Sequence, residues 1–183
     1  MTGSNRRIVQ DDRTQLETVR MEFAKFCALT NPDEHDAWYK RGLEDFPRLL
    51  SIDGVTGVGI DWQSNRLLVS TELIVAYDKR DDRKEIGEFI VFFDPFNKQF
   101  TFENVSGGLL SDCGGYHHAH PHISNGEMCI TTGRAEIIHG MIDARYSVSM
   151  RIILAALRMR ENEGYFGHPY HPLERWPTKE QVV

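Results

Sequence analysis

VTGVGIDW (55–62), RLLVSTELIVAY (66–77), EFIVFF (88–93) and QFTFENV (99–105) are the stretches that decide the fold. Each is rich in β-branched or aromatic residues, which suit a pleated, half-buried surface. Turn residues separate them: Gln63-Ser64-Asn65, the charged stretch DKRDDRKEIG (78–87), and Asp94-Pro95-Phe96-Asn97. Four strands joined by turns predict an antiparallel meander, with DKRDDRK as a solvated hairpin tip.

Ahead of the meander the period is helical. Leu16, Val19, Phe23, Phe26 and Cys27 form one apolar stripe over residues 11–29, and Cys27 on that stripe reads as a small core hydrophobe. Thr30-Asn31-Pro32-Asp33-Glu34 reads as a stop and a new start, with Asn31 as cap, Pro32 at the first helical position and Glu34 closing a capping box. The second helix is expected to end near Phe46, before Pro47, with Trp38, Leu43 and Phe46 facing inward.

After the meander, residues 106–143 show no long periodic run, yet Ile123, Met128 and Ile130 argue for order. ARYSVSMRIILAALRMREN (144–162) then reads as a strong helix. Val148, Ile152, Ala155, Ala156 and Met159 lie on one face, widened by Ile153, Leu154 and Leu157. A helix this apolar must pack across a sheet. The expectation is therefore one α+β domain over residues 1–183: N-terminal helices at about 11–46, the meander at 55–105, an ordered segment at 106–143, a crossing helix at 144–162 and an extended tail at 163–183.

A chain of 183 residues can bury a core without disulfide or metal staples. With 40% hydrophobic and 26% charged residues and a mean hydropathy of −0.42, it has the composition of a soluble globular protein. No apolar run approaches the ~18 residues that span a bilayer, and MTGSNRRIVQDD lacks the apolar core of a secretory signal, so a cytoplasmic location is expected. The three cysteines, Cys27, Cys113 and Cys129, are an odd set that fits free thiols in a reducing compartment. A net charge of −6 without any basic block argues against nucleic-acid binding and points to proteins or small molecules as partners.

The chemistry concentrates in HHAHPHISNGEMC (117–129). Zinc takes thiolate and imidazole ligands, and His117, His118, His120, His122, Cys113 and Cys129 supply enough atoms, but not the paired, separated spacing of a structural site. His118-Ala119-His120 resembles the paired histidines of metal-dependent isopeptidases, without the serine and aspartate that complete that motif. No metal and no cofactor are expected. As a thiol nucleophile Cys129 could draw a base from distant histidines such as His139 or His168, and nothing local selects one.

His120-Pro121-His122-Ile123, followed by Asn125-Gly126-Glu127-Met128-Cys129-Ile130 and then a long apolar helix, resembles the active-site segment of the ubiquitin-conjugating enzymes. In that family a His-Pro-Asn tripeptide opens a flap, a short stretch carries the catalytic cysteine, and a long helix then crosses the sheet. The element order read above agrees with the family's over roughly residues 55–172, plus an N-terminal helix. His122 stands where the family has asparagine, the interval from His120 to Cys129 is one residue shorter, a second helix precedes the meander, and little sequence is left for C-terminal helices. These departures resemble divergent prokaryotic members, which occur with a ubiquitin-like modifier, an activating enzyme and an isopeptidase.

The resemblance implies a UBC-like fold and a transferase. Cys129 would take a ubiquitin-like modifier from an activating enzyme as a thioester and pass it to an amine of a target protein. His120 and Pro121 would build the flap, and His122 would support the oxyanion or its loop in place of asparagine. Nothing resembles a phosphate-cradling loop, so ATP use would belong to the activating enzyme. The alternatives are a binding module of the same fold in which Cys129 is inert, and a histidine–cysteine metal site.

Overall fold

The computed structural model describes residues 13–78, 80–106, 110–111, 117–130 and 133–158. Two helices, α1 (Arg13–Thr30) and α2 (His35–Leu50), flank a 3-10 turn at Pro32–Glu34. Val19, Phe23, Phe26 and Cys27 are buried as their spacing predicts, whereas Leu16 is exposed. The cap at Asn31 is a backbone one: its side chain makes no capping bond, and its carbonyl accepts the Glu34 N–H at 3.2 Å. At the crossing of the two helices Gly42 sits so close that a Cβ there would lie 2.9 Å from the Ala24 Cα and 3.0 Å from the Cys27 Sγ.

Pro47 does not end α2, contrary to expectation; the helix runs on to Leu50. A proline inside a helix leaves the carbonyl four residues earlier without a donor. Here that carbonyl is Leu43's, and the Arg20 guanidinium fills it from α1 through Nε at 3.3 Å and Nη2 at 3.2 Å.

The meander forms as an antiparallel sheet with strand order β1-β2-β5-β6: β1 (Val55–Asp61), β2 (Arg66–Thr71), β5 (Phe89–Asp94) and β6 (Gln99–Asn104). One expected strand is in fact two. RLLVSTELIVAY breaks at Glu72-Leu73 into β2 and β3 (Ile74–Tyr77), and β3 pairs with β4 (Arg83–Gly87), a strand inside the charged stretch. Thus β2–β3 and β4–β5 form one long ribbon with a bend. At the bend the Thr71 hydroxyl accepts the Phe89 N–H (3.0 Å), the Ser106 hydroxyl accepts the Glu88 N–H (2.8 Å), and the Asn104 amide donates to the Ile86 carbonyl (3.0 Å). These side chains satisfy backbone groups that a regular ladder would have paired. The tip itself is solvated as expected, with Arg80, Asp81, Asp82 and Arg83 exposed, but its base is not. Asp78 and Lys84 are buried and paired at 3.8 Å, and the Asp78 carboxylate accepts the N–H groups of Arg80 (2.8 Å) and Asp82 (3.0 Å).

Segment 106–143 holds a second, smaller four-stranded antiparallel sheet in the order β10-β9-β8-β7: β7 (Leu110–Ser111), β8 (His117–His120), β9 (Ile123–Ser124) and β10 (Glu127–Met128). It also holds a helix that the sequence reading lacked, α3 (Arg134–Ile142). A Schellman-type corner ends α3: the Arg145 N–H reaches the Gly140 carbonyl (2.7 Å) and the Ala144 N–H the Met141 carbonyl (3.2 Å), with Ala144 at φ +51 where glycine is usual.

The crossing helix α4 (Tyr146–Leu157) follows, shorter at its start than the predicted span, whose last residues lie outside the described ones. Its buried residues are Tyr146, Ser147, Ser149, Met150, Ile153, Leu154, Ala156 and Leu157, while Val148 and Ala155 point outward and Ile152 is half-buried. The inward face is thus rotated from the one predicted. Its first residue sits at the centre of the core: the Tyr146 ring meets Phe93 of the sheet at 5.5 Å and Phe23 and Phe26 of α1 at 5.6 and 6.3 Å. Asp45 of α2 caps this helix from outside, accepting the Ser147 N–H at 2.9 Å and the Ser147 hydroxyl. Among the described residues no helix is long and apolar enough to cross a membrane.

Candidate functional site

β8 leads into the turn His120-Pro121-His122, β9 leaves it, and Asn125-Gly126 turns the chain back into β10. Asn125 and Gly126 have φ of +51 and +80, and Ser124 pairs with Glu127, so a two-residue hairpin of primed type closes here. Gly126 is needed twice over. Its φ is positive, and a Cβ would come within 3.3 Å of the Phe102 carbonyl, because the Gly126 carbonyl takes the Phe102 N–H of β6 at 2.9 Å. That bond docks the small sheet on the edge of the large one. Ile123, Met128 and Ile130 anchor it in the core.

His120 is almost completely buried, and both ring nitrogens are used. Nδ1 accepts the His122 N–H at 3.1 Å, and Nε2 donates to the Leu157 carbonyl, at the end of α4, at 2.9 Å. A main-chain N–H can only donate and a carbonyl only accept, so the ring is neutral with its proton on Nε2. The electrostatics agree. Burial, and next the neighbouring His122, push the His120 pKa down to about 3, against a smaller upward pull from the Leu157 bond.

His122 is buried too, and burial lowers its pKa. Its ring differs in having Nδ1 enclosed without a hydrogen-bond partner among the described residues. Its carbonyl accepts the Cys129 N–H at 2.7 Å, which sets the cysteine beside the His-Pro-His turn. Cys129 is half-buried and its thiol is free. The hairpin therefore brings His120, Pro121, His122 and Cys129 into one turn and its exit. His139 is exposed on α3.

The other candidates separate from this group. Cys27 is fully enclosed, and burial, then the Asp45 carboxylate, push its thiol well above the usual range. His117 and His118 pair through their backbones with Ser111 and Leu110, but their side chains lie outside the described structure, as do Cys113 and His168. Among the described residues no group of three or more histidine, cysteine, aspartate or glutamate side chains is placed to hold a metal.

Sequence reasoning missed the Leu157 carbonyl that seats His120 and the Asp45–Ser147 cap. Both are long-range partnerships, and a backbone carbonyl leaves no mark in a sequence. The Asn-Gly hairpin did leave one, since that dipeptide between apolar residues is a strong hairpin signal.

A half-buried cysteine at a hairpin exit, its main chain bonded to that of a buried histidine, can act as a nucleophile and carry an acyl group. Comparison with family models, with curated proteins and with solved structures finds no match.

Proposed function

We propose that this chain is a ubiquitin-conjugating-enzyme-like carrier with Cys129 as its thioester-forming residue. The observation that supports it most is the 2.7 Å bond from the Cys129 N–H to the His122 carbonyl, which joins a reachable thiol to the His-Pro-His turn. The four-stranded antiparallel sheet and the helix after the cysteine support it as well.

The first step is transthiolation. The Cys129 thiolate attacks the modifier's C-terminal carbonyl on the activating enzyme, and the activating enzyme's thiolate leaves. In the second step an amine of the target attacks the Cys129 thioester. The tetrahedral intermediate expels the Cys129 thiolate, the amine proton goes to solvent, and an amide remains.

His122 would serve the oxyanion of that intermediate. An enclosed N–H without an acceptor is rarer and costlier than an enclosed lone pair, so the ring proton belongs on Nε2, leaving one N–H to donate. A donor aimed at such an oxyanion is worth about 3 kcal/mol.

The carrier reading is tested by incubating the protein with its activating enzyme, modifier and ATP. A higher-mass band that disappears with reductant and is missing from Cys129→Ala is expected. Absence of the band with the cognate partners, or its survival in Cys129→Ala, refutes the reading and favours an inert binding module. For His122, single-turnover discharge onto free lysine should slow on the order of 100-fold in His122→Ala and recover in His122→Asn, which restores a donor. Wild-type rates in both variants would remove His122 from the mechanism.

A further inference from the structure

Arg158 closes α4 at the surface, and its guanidinium is placed by three partners. Nη2 donates to the Asp53 carbonyl at 3.1 Å and to Glu72 Oε1 at 2.8 Å, and Nη1 lies 3.4 Å from Asp53 Oδ2. It covers Gly54, whose φ is +92 and where any Cβ would collide with the guanidinium. One side chain thus ties together the end of α4, the loop before β1 and the bend between β2 and β3.

The residue before it carries the carbonyl on which His120 rests. Leu157 is in the last turn, where carbonyls have no partner within the helix, and the His120 ring supplies one at 2.9 Å. The series continues inward: His122 N–H to His120 Nδ1 at 3.1 Å, then Cys129 N–H to the His122 carbonyl at 2.7 Å. These hydrogen bonds in sequence connect a surface ion cluster to the main chain of the cysteine.

We propose that Arg158 is a remote positioning residue for Cys129: by fixing the last turn of α4 it fixes the carbonyl that seats His120, and through the His122 peptide the Cys129 backbone. Asp53 and Glu72 are its anchors. This rests on Cys129 being the working thiol, but it is tested without modifier or activating enzyme, so failure of the carrier reading and failure of this one are separate results.

Amide hydrogen exchange measured by NMR, together with the rate of Cys129 alkylation by iodoacetamide, reads the effect. In Arg158→Ala the His122 and Cys129 amides should exchange about two- to fivefold faster and alkylation should rise by a similar factor, as expected for loss of a partly exposed ion cluster. Glu72→Ala should move the same two amides in the same direction, and it gives the reading if Arg158→Ala does not fold. Amides of α1 and β2 should keep their protection, and Arg83→Ala, which breaks a hairpin ion pair with Glu85, should change neither signal. The proposal is overturned if His122 and Cys129 exchange at unchanged rates in the folded variants, or if every core amide accelerates in step with them.

Discussion

Cys27 and Cys129 are both free thiols, and the regions around them differ in how far they enclose the cysteine. At the helical junction around Cys27 the polar groups hold helices in place: Asp45 caps α4 through Ser147, and the Ser149 hydroxyl donates to the Ile137 carbonyl at 2.8 Å, joining α4 to α3. In the flap one imidazole, His120, has both nitrogens bonded, and its neighbour keeps an enclosed nitrogen without a partner. An enclosed polar atom without a partner occurs in both regions among the described residues, the Tyr146 hydroxyl at the junction and His122 Nδ1 in the flap. The difference is one of enclosure: Cys27 is fully enclosed between α1 and α2, where the Tyr146 hydroxyl also lacks a partner among the described residues, whereas Cys129 is half-buried at the hairpin exit.

The sharpest way to break this contrast is a competition between the two thiols. Mass mapping of native protein treated with iodoacetamide should find Cys129 modified and Cys27 protected by a factor on the order of a thousand or more, since Cys27 is reached only through opening of the core. Comparable labelling of both would mean that the helical junction is not closed.

A smaller effect is expected at the cap. Asp45→Ala leaves the first turn of α4 without its acceptor and should lower stability by about 2 kcal/mol in urea unfolding. A change below about 0.5 kcal/mol would show that the junction does not depend on it.

The third effect is a slope, smaller per pH unit than the loss at the cap. The unfolded chain protonates His120 near its ordinary 6.5, whereas the folded ring resists until about 3, so the unfolded state binds more protons throughout that window. Stability should therefore fall as pH drops from about 6.5 towards 3, by at most about 1.4 kcal/mol per unit from this ring, with His122 acting in the same direction. In His120→Gln, whose amide cannot take up the proton, urea midpoints against pH should flatten over that range. An unaltered slope would contradict the neutral bridging ring.

Much of the fold is legible in the sequence because its strands and first helix have clear periods. Phe100 and Phe102 alternate with polar residues along β6, and Phe23, Phe26 and Cys27 follow a helical stripe. What was not legible depends on partners far away in sequence. α2 continues through Pro47 because Arg20 takes the Leu43 carbonyl. β2 gives way to β3 because Thr71, Asn104 and Ser106 satisfy the backbone at the bend. α3, nine residues long with Gly140 inside it, is too short to establish a period. A Cβ at Gly140 would strike the Ser149 hydroxyl, so that glycine serves the packing of α3 on α4. The inward face of α4 was misread because two serines lie on it: Ser147 and Ser149 are buried by virtue of their hydrogen bonds, and exposed Val148 stands between them. At the candidate site, the resemblance of the segment to a known active-site motif pointed to His120, Pro121, His122 and Cys129, while the helix end that seats His120 could come only from the three-dimensional structure.

Pro47 also gives the first two helices a register key. Beside the close fit of Gly42 against Ala24 and Cys27, the Leu43 carbonyl is a polar notch cut by the proline, and Arg20 is the tooth that fits it. Sliding α2 by one turn would leave the notch empty and the guanidinium facing an already bonded carbonyl. A residue that usually interrupts helices thus indexes one helix against another, and with it the place where Asp45 meets the start of α4.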